Sequence, residues 1–188
     1  MILSLVSALL LLTVSVLARV EGPFALYLRS SDPKWNMRYI NIGARNAYMA
    51  VAPTAVSSPS QIPAANINFF LNTTATLTPD APYGQLVWGA QSYYSNLFGR
   101  IDVLTPSSSA LQPIFFDMTY SLQGYSSRWN FTANKQLQLD NVKDHFYAKE
   151  LRTTMYNYDT VFWLFGSPSQ SGLGASKVTV WRYDPPSV

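Results

Sequence analysis

The sequence predicts an all-β single domain of about twelve short strands, a β-sandwich or a β-trefoil-like fold, behind an N-terminal export signal. Three observations carry this. Short apolar or alternating runs are broken throughout by Gly, Pro, Ser and Asn, the pattern of many strands and tight connections rather than of helices. The 10 Phe, 12 Tyr and 5 Trp supply large rings for a core, each able to bury ~150 to 250 Å². Cysteine is absent, so packing alone has to stabilise a chain that the leader sends to a disulfide-permitting compartment.

Residues 1–18 carry no charged side chain, and an apolar run extends from Ile2 to Leu12 and resumes at Val14. The run is shorter than the ~20 apolar residues of a spanning helix. Small Ala18, with Val16 two positions earlier, suits signal cleavage between Ala18 and Arg19. The expected organisation is therefore a signal peptide over 1–18 and one secreted β domain over 19–188, with no stable membrane span after cleavage.

The predicted strands follow in order. They are Phe24 to Arg29, Arg38 to Ile42, Ala47 to Val51, Ile67 to Leu71, Gln85 to Trp88 and Arg100 to Leu104. The second half holds Ile114 to Thr119, Trp129 to Thr132, Gln136 to Leu139, His145 to Ala148, Thr160 to Phe165 and Lys177 to Tyr183. In the last of these, Val178, Val180 and Arg182 share one face and Thr179, Trp181 and Tyr183 the other. Phe162-Trp163-Leu164-Phe165 is apolar on both faces, which predicts a central strand covered on both sides. Pro53 to Ala65 and Thr105 to Pro113 read as connectors, because Pro cannot donate to a ladder and core residues are scarce there. A helix competes only over Asp140 to Asn157, where Val142, Phe146 and Glu150 recur behind an Asp140 cap; Glu150 interrupts that stripe, and strand is favoured for His145 to Ala148. The segments starting at Asn68 and Arg128 echo each other as aromatic strand, polar turn and second strand, which keeps a trefoil beside a sandwich.

Charged residues are 12% of the chain against a usual ~25%, so hydroxyls, amides or attached sugar must solvate the surface. Asn72-Thr73-Thr74 and Asn130-Phe131-Thr132 are acceptor tripeptides for N-glycosylation. The net charge is +3, with Arg19, Arg29, Lys34, Arg38 and Arg45 spread over the N-terminal quarter. No concentrated basic stripe follows, which argues against nucleic-acid binding and leaves weak attraction to acidic wall polymers.

Catalytic constellations are scarce. Without Cys, thiol chemistry and thiolate metal sites are excluded. A Ser-His-Asp relay would have to use His145, the single histidine, with Asp144 or Asp140 as orienter, and no Gly-x-Ser-x-Gly elbow is present. Asp140, Asp144, His145 and Glu150 show no familiar metal spacing, so a solvated charged turn is expected, with neither metal nor cofactor. A glycosidase would need a carboxylate pair; Asp102 and Asp117 are the candidates within apolar strands. Tyr93, Tyr94, Tyr120 and Tyr125, with Tyr156 and Tyr158, flank turns and are candidate glycan contacts, although tyrosines also pack core rims.

Trp129-Asn-Phe-Thr with Leu137 and Leu139, then Phe146-Tyr147-Ala148, Val161-Phe162-Trp163-Leu164-Phe165 and Ser176-Lys177-Val178-Thr179-Val180 occur in an order that resembles a group of small secreted fungal proteins. That group carries a domain of unassigned function and is akin to cell-wall proteins of the phialide and conidium type. Gly84-Gln-Leu-Val-Trp-Gly-Ala ahead of Tyr93-Tyr94 fits the middle of the pattern. The resemblance implies a secreted or wall-associated β protein without a defined catalytic residue. It also implies a cysteine pair near positions where this chain has Ala148 and Ala175. The expected function is that of a non-enzymatic wall-associated protein with cell-wall polysaccharide as its partner; a carbohydrate-binding module using surface Tyr or Trp is the alternative, and a glycoside hydrolase the third.

Overall fold

β1 (Val20–Arg29) organises the molecule, because its alternation feeds two different apolar layers. Phe24, Leu26 and Leu28 enter the main core, whereas Ala25 and Tyr27 enter a second cluster on the opposite face, as the two-residue period of a strand requires. The computed structural model describes residues 20–42, 48–73, 83–89, 97–100, 111–117, 128–152, 157–164 and 174–186. The export signal, its Ala18-Arg19 junction, and Tyr93, Tyr94, Tyr120 and Tyr125 lie outside these residues, as does Asp102.

The chain is all-β, and twelve of its strands join in one sheet. On one side of β1 the sheet runs through β2 (Arg38–Ile42), β3 (Met49–Ala55), β12 (Asn157–Leu164), β11 (Phe146–Arg152) and β13 (Ser176–Lys177). On the other it runs through β4 (Phe69–Asn72), β5 (Gln85–Trp88), β6 (Leu97–Arg100) and β8 (Phe115–Asp117). β7 (Leu111–Pro113) adds to β12, and β14 (Thr179–Tyr183) lies antiparallel on β1 with Leu26 opposite Arg182. β9 (Trp129–Phe131) and β10 (Leu137–Leu139) form a separate hairpin.

Two hydrogen-bonded circuits close on β1. The first leaves through β2, β3, β12, β11 and β13 and returns along β14, which follows β13 after Val178 alone. The second leaves through β4 and β5, crosses from Gly84 to Trp129 in β9, and returns from Gln136 to Trp181 in β14. Closure satisfies backbone groups that open edges would leave unpaired. One face of every strand in both circuits except β13 supplies a single core, with Trp129, Phe24, Phe69, Phe116 and Phe146 fully buried. Phe146 and Trp163 meet edge-on at 4.9 Å and 75°, and Phe24 and Phe69 stack at 6.4 Å and 18°, the two kinds of arrangement that the ring quadrupole favours. Tyr147, Phe162 and Leu164 form a third cluster outside β11 and β12, so β12 is covered on both faces, as its Phe-Trp-Leu run predicts.

Several sequence expectations are corrected in detail. β1 begins at Val20 and β12 at Asn157, earlier than apolar content suggests. The strand expected over Lys177 to Tyr183 divides at Val178, whose N–H bonds the Phe146 carbonyl while its neighbours pair with different partners. β3 continues through Pro53 to Ala55, and β7 lies in the segment read as a connector; its Pro113 stands opposite Phe162. The helix alternative for Asp140 to Asn157 gives way to β11 and a tight turn. Asp140 and Asn141 have φ of 53° and 63°, and Leu139 and Val142 exchange both backbone hydrogen bonds at 3.0 Å. Those are the marks of a two-residue hairpin turn with both central residues left-handed, which makes Asp140 a turn residue and not a helix cap.

Candidate functional site

The turn after β1 reads Ser30-Ser-Asp-Pro-Lys-Trp, a sequence built for local side-chain capping. Asp32 Oδ1 accepts from the Lys34 N–H at 2.9 Å, and the Asp32 carbonyl accepts from Trp35 N at 3.0 Å. Two further bonds tie this turn to β13, almost 150 residues later: Ser30 Oγ donates to the Lys177 carbonyl at 2.9 Å, and Ser176 Oγ donates to Asp32 Oδ2 at 2.6 Å. The Ser176 hydroxyl, then the Lys34 N–H, holds the Asp32 carboxyl below the usual aspartate range. Asp32 is thereby an ionised acceptor and not a proton donor at neutral pH.

This turn forms one wall of an open cleft of about 1080 Å³ whose opposite wall is β11 and whose end is the Gly174-Ala175-Ser176 approach to β13. Such a volume lies just above the ~300 to 1,000 Å³ of small-molecule sites. Leu111, Leu151, Phe162 and Ala175 give it apolar surface, while Asp32, Lys34, Lys149, Glu150 and Arg152 give it charge. Alternation explains the mixture. Lys149 and Leu151 share a face of β11 with buried Tyr147, and Glu150 and Arg152 continue the opposite face beyond Ala148. β13 pairs with β11 only at Tyr147 and Ala148, so the strands diverge where the cleft opens. Ala148 and Ala175, the positions near which the family resemblance implies cysteines, both line it.

Cations frame the rim. Lys34 Nζ lies 4.4 Å from the centre of the Trp35 ring and 3.8 Å from Asp159 Oδ1; Arg38 donates to Asp159 Oδ2 at 3.0 Å. Trp35 itself is 3% exposed and belongs to the core, so it braces the wall and offers no open ring face. Arg152 donates through Nε and a terminal nitrogen to Glu150 Oε2 at 3.4 and 3.3 Å.

The residues singled out from the sequence are dispersed. Asn72 ends β4 and is half-buried. Asn130 is 6% exposed, and its Nδ2 donates to Asn141 Oδ1 at 2.9 Å, so the asparagine of this acceptor tripeptide is buried. His145 is half-buried beside Trp163, with Nδ1 2.8 Å from the Leu164 carbonyl oxygen; that oxygen can only accept, so Nδ1 carries the proton. The expectation of a freely solvated histidine is corrected accordingly. The Asp140 partner in the relay considered above is bound to Arg128 at 3.0 Å. Asp117 ends β8 opposite Phe98. Composition around Ser30 to Lys34 signals a turn, but no local signal joins it to Lys149, Arg152 or Ser176.

Among the described residues, no helix is long and apolar enough to cross a membrane. No protein-family model, characterised protein or solved structure matches this chain.

Proposed function

We propose that this chain is an exported, non-enzymatic, wall-associated fungal protein that binds cell-wall polysaccharide in the cleft between the Asp32 turn and β11. The apolar leader and the fungal family resemblance support export and wall association. One observation carries the binding role: an open cleft that sets apolar walls beside fixed hydrogen-bonding charges. A sugar chain has the matching character, with C–H faces for Leu151 and Phe162 and hydroxyls for Asp32 and the basic rim. Of the two acceptor tripeptides, Asn72 is the one used, since the Asn130 side chain is buried and leaves no room for a glycan on its amide nitrogen.

The full chain, expressed in a fungal host, is expected in the wall fraction with Arg19 at its N-terminus and glycan on Asn72. The purified mature form is expected to sediment with isolated walls, and Asp32→Ala with Phe162→Ser to weaken that several-fold. An intact Met1 on cytosolic protein overturns export; no sedimentation with any wall polysaccharide overturns binding.

A further inference from the structure

We infer that the cleft accepts an extended peptide, which adds as a strand to the open edge of β11 in line with β13. The hydrogen-bonding phase of β11 defines that edge. Leu164 N–H bonds the His145 carbonyl, and Val178 N–H bonds the Phe146 carbonyl. Main-chain groups of Tyr147, Lys149 and Leu151 therefore face β12, and those of Ala148, Glu150 and Arg152 face the β13 side. β13 uses only the first part of this edge, since its pairing stops with Ser176 opposite Ala148. Gly174, which the same register would set opposite Glu150, has a φ of 55° and leaves the ladder. Glu150 and Arg152 thus turn their N–H groups and carbonyls toward the cleft, and among the described residues no main-chain hydrogen bond reaches them there.

The cleft continues the line of β13. On its side away from β11, β13 is held by the Ser30 and Asp32 side chains, so the turn and β11 stand one strand's width apart, and both line the cleft beyond Ser176. A single extended chain fits such a gap. A second folded copy does not, because its own β11 brings β12 alongside. The rim charges do not select the occupant, since Lys34 is paired with Asp159 and Arg152 with Glu150. Main-chain bonds supply the affinity and side-chain alternation the selectivity, as in strand addition generally. A peptide antiparallel to β11 sets one residue opposite Leu151, on the face of Phe162, Leu111 and Ala175, and an apolar side chain suits that place. The inference does not rest on glycan binding, and a peptide seated here excludes glycan from the cleft.

The test is calorimetric titration of the full mature protein with the capped peptide Ser-Thr-Val-Thr-Ser, whose valine faces Leu151 and whose threonines turn their main chain toward β11. Expected is saturable binding at one site, within about twofold the same from about 0.05 to about 0.5 M salt. N-methylation of both threonines removes the donors that face β11 and is expected to weaken binding about tenfold. Replacing the valine by asparagine is expected to cost about as much. In the protein, Arg152→Pro removes one edge N–H without touching the ladder to β12 and is expected to lose about tenfold. Arg152→Gln keeps that N–H and is expected to bind as the native chain does. The methylated peptide decides the matter even where Arg152→Pro fails to fold. Equal affinity of methylated and unmodified peptides overturns the inference, as does a loss in Arg152→Gln equal to that in Arg152→Pro. A dimer in equilibrium sedimentation that Arg152→Pro abolishes would give the edge to a second copy and overturn it too. Absence of saturable binding overturns it and leaves the glycan reading, which sedimentation with walls decides, where it stood.

Discussion

Thr160 stands at the centre of β12, fully buried between Lys149 and Ala50 on the neighbouring strands. Its hydroxyl finds no hydrogen-bond partner, and both amide atoms of buried Gln85 share that condition. A buried hydroxyl without a partner forfeits its hydration for nothing in return. Thr160→Val, nearly the same shape, is expected to stabilise the protein by ~1 kcal/mol in urea titrations; a loss of that size would show that the oxygen has a structural role. Asp184 is the opposite case. Burial alone would raise its pKa, but hydrogen bonds from Lys135 at 2.7 Å and Arg182 at 2.6 Å outweigh that and hold it below its ordinary 3.8. A carboxyl whose folded pKa is depressed contributes stability that is complete above its unfolded pKa and disappears as pH falls through the folded value. Urea midpoints are therefore expected to decline below about pH 4, and less steeply for Asp184→Asn. Parallel declines in the two proteins would rule out this carboxylate as a source.

Among the elements, the link between β5 and β9 depends on a single glycine. Gly84 donates to the Trp129 carbonyl at 2.7 Å and accepts from Trp129 N at 3.0 Å, which joins the β9–β10 hairpin to the sheet. A Cβ at position 84 would stand 2.9 Å from the Asn72 carbonyl oxygen and 3.1 Å from its carbon, and this backbone, itself paired in β4, cannot move aside cheaply. Gly84→Ala is expected to cost ~2 kcal/mol and to alter the near-ultraviolet circular dichroism of buried Trp129; a change under ~0.5 kcal/mol would mean that the second circuit is not closed there. Legibility varied among elements for physical reasons. β12 announces itself by a continuous apolar run, Val161 to Leu164, and β14 by its alternation around Val180. β7 does not, since a three-residue strand gains its identity from β12 beside it. The Asp140-Asn141 turn holds two residues that tolerate left-handed φ, yet the following apolar spacing also fits a helix.

In the molecule as a whole, both circuits drain into one core cluster that reaches from Phe24 and Phe69 to Trp163 and Val161. Shared packing of that kind couples the loss of one circuit to the loss of the other. Unfolding followed by tryptophan fluorescence and by far-ultraviolet circular dichroism is expected to give superimposable urea transitions. Separate midpoints would mean that the β9–β10 hairpin and the β11–β12 wall unfold independently. Apart from Trp35 and Ala148, which belong to this core, the apolar lining of the cleft is the layer formed by Phe162, Leu151, Leu111 and Ala175, so substitutions at its charged rim are expected to change glycan binding with little change in stability.

Composition and periodicity were enough to settle that the chain is all-β, free of disulfides and held by rings, because a two-residue alternation and a count of aromatic side chains are local properties of the chain. The turn at Ser30 to Lys34 was not singled out from the sequence, although Ser-Ser-Asp-Pro is a local turn composition. The pairing of that turn with Ser176 across 144 residues, the charged rim of the cleft, the burial of Asn130 and the two closures on β1 were decided only in three dimensions. Each depends on which strands become neighbours, and that choice is made by the common core and not by any one segment.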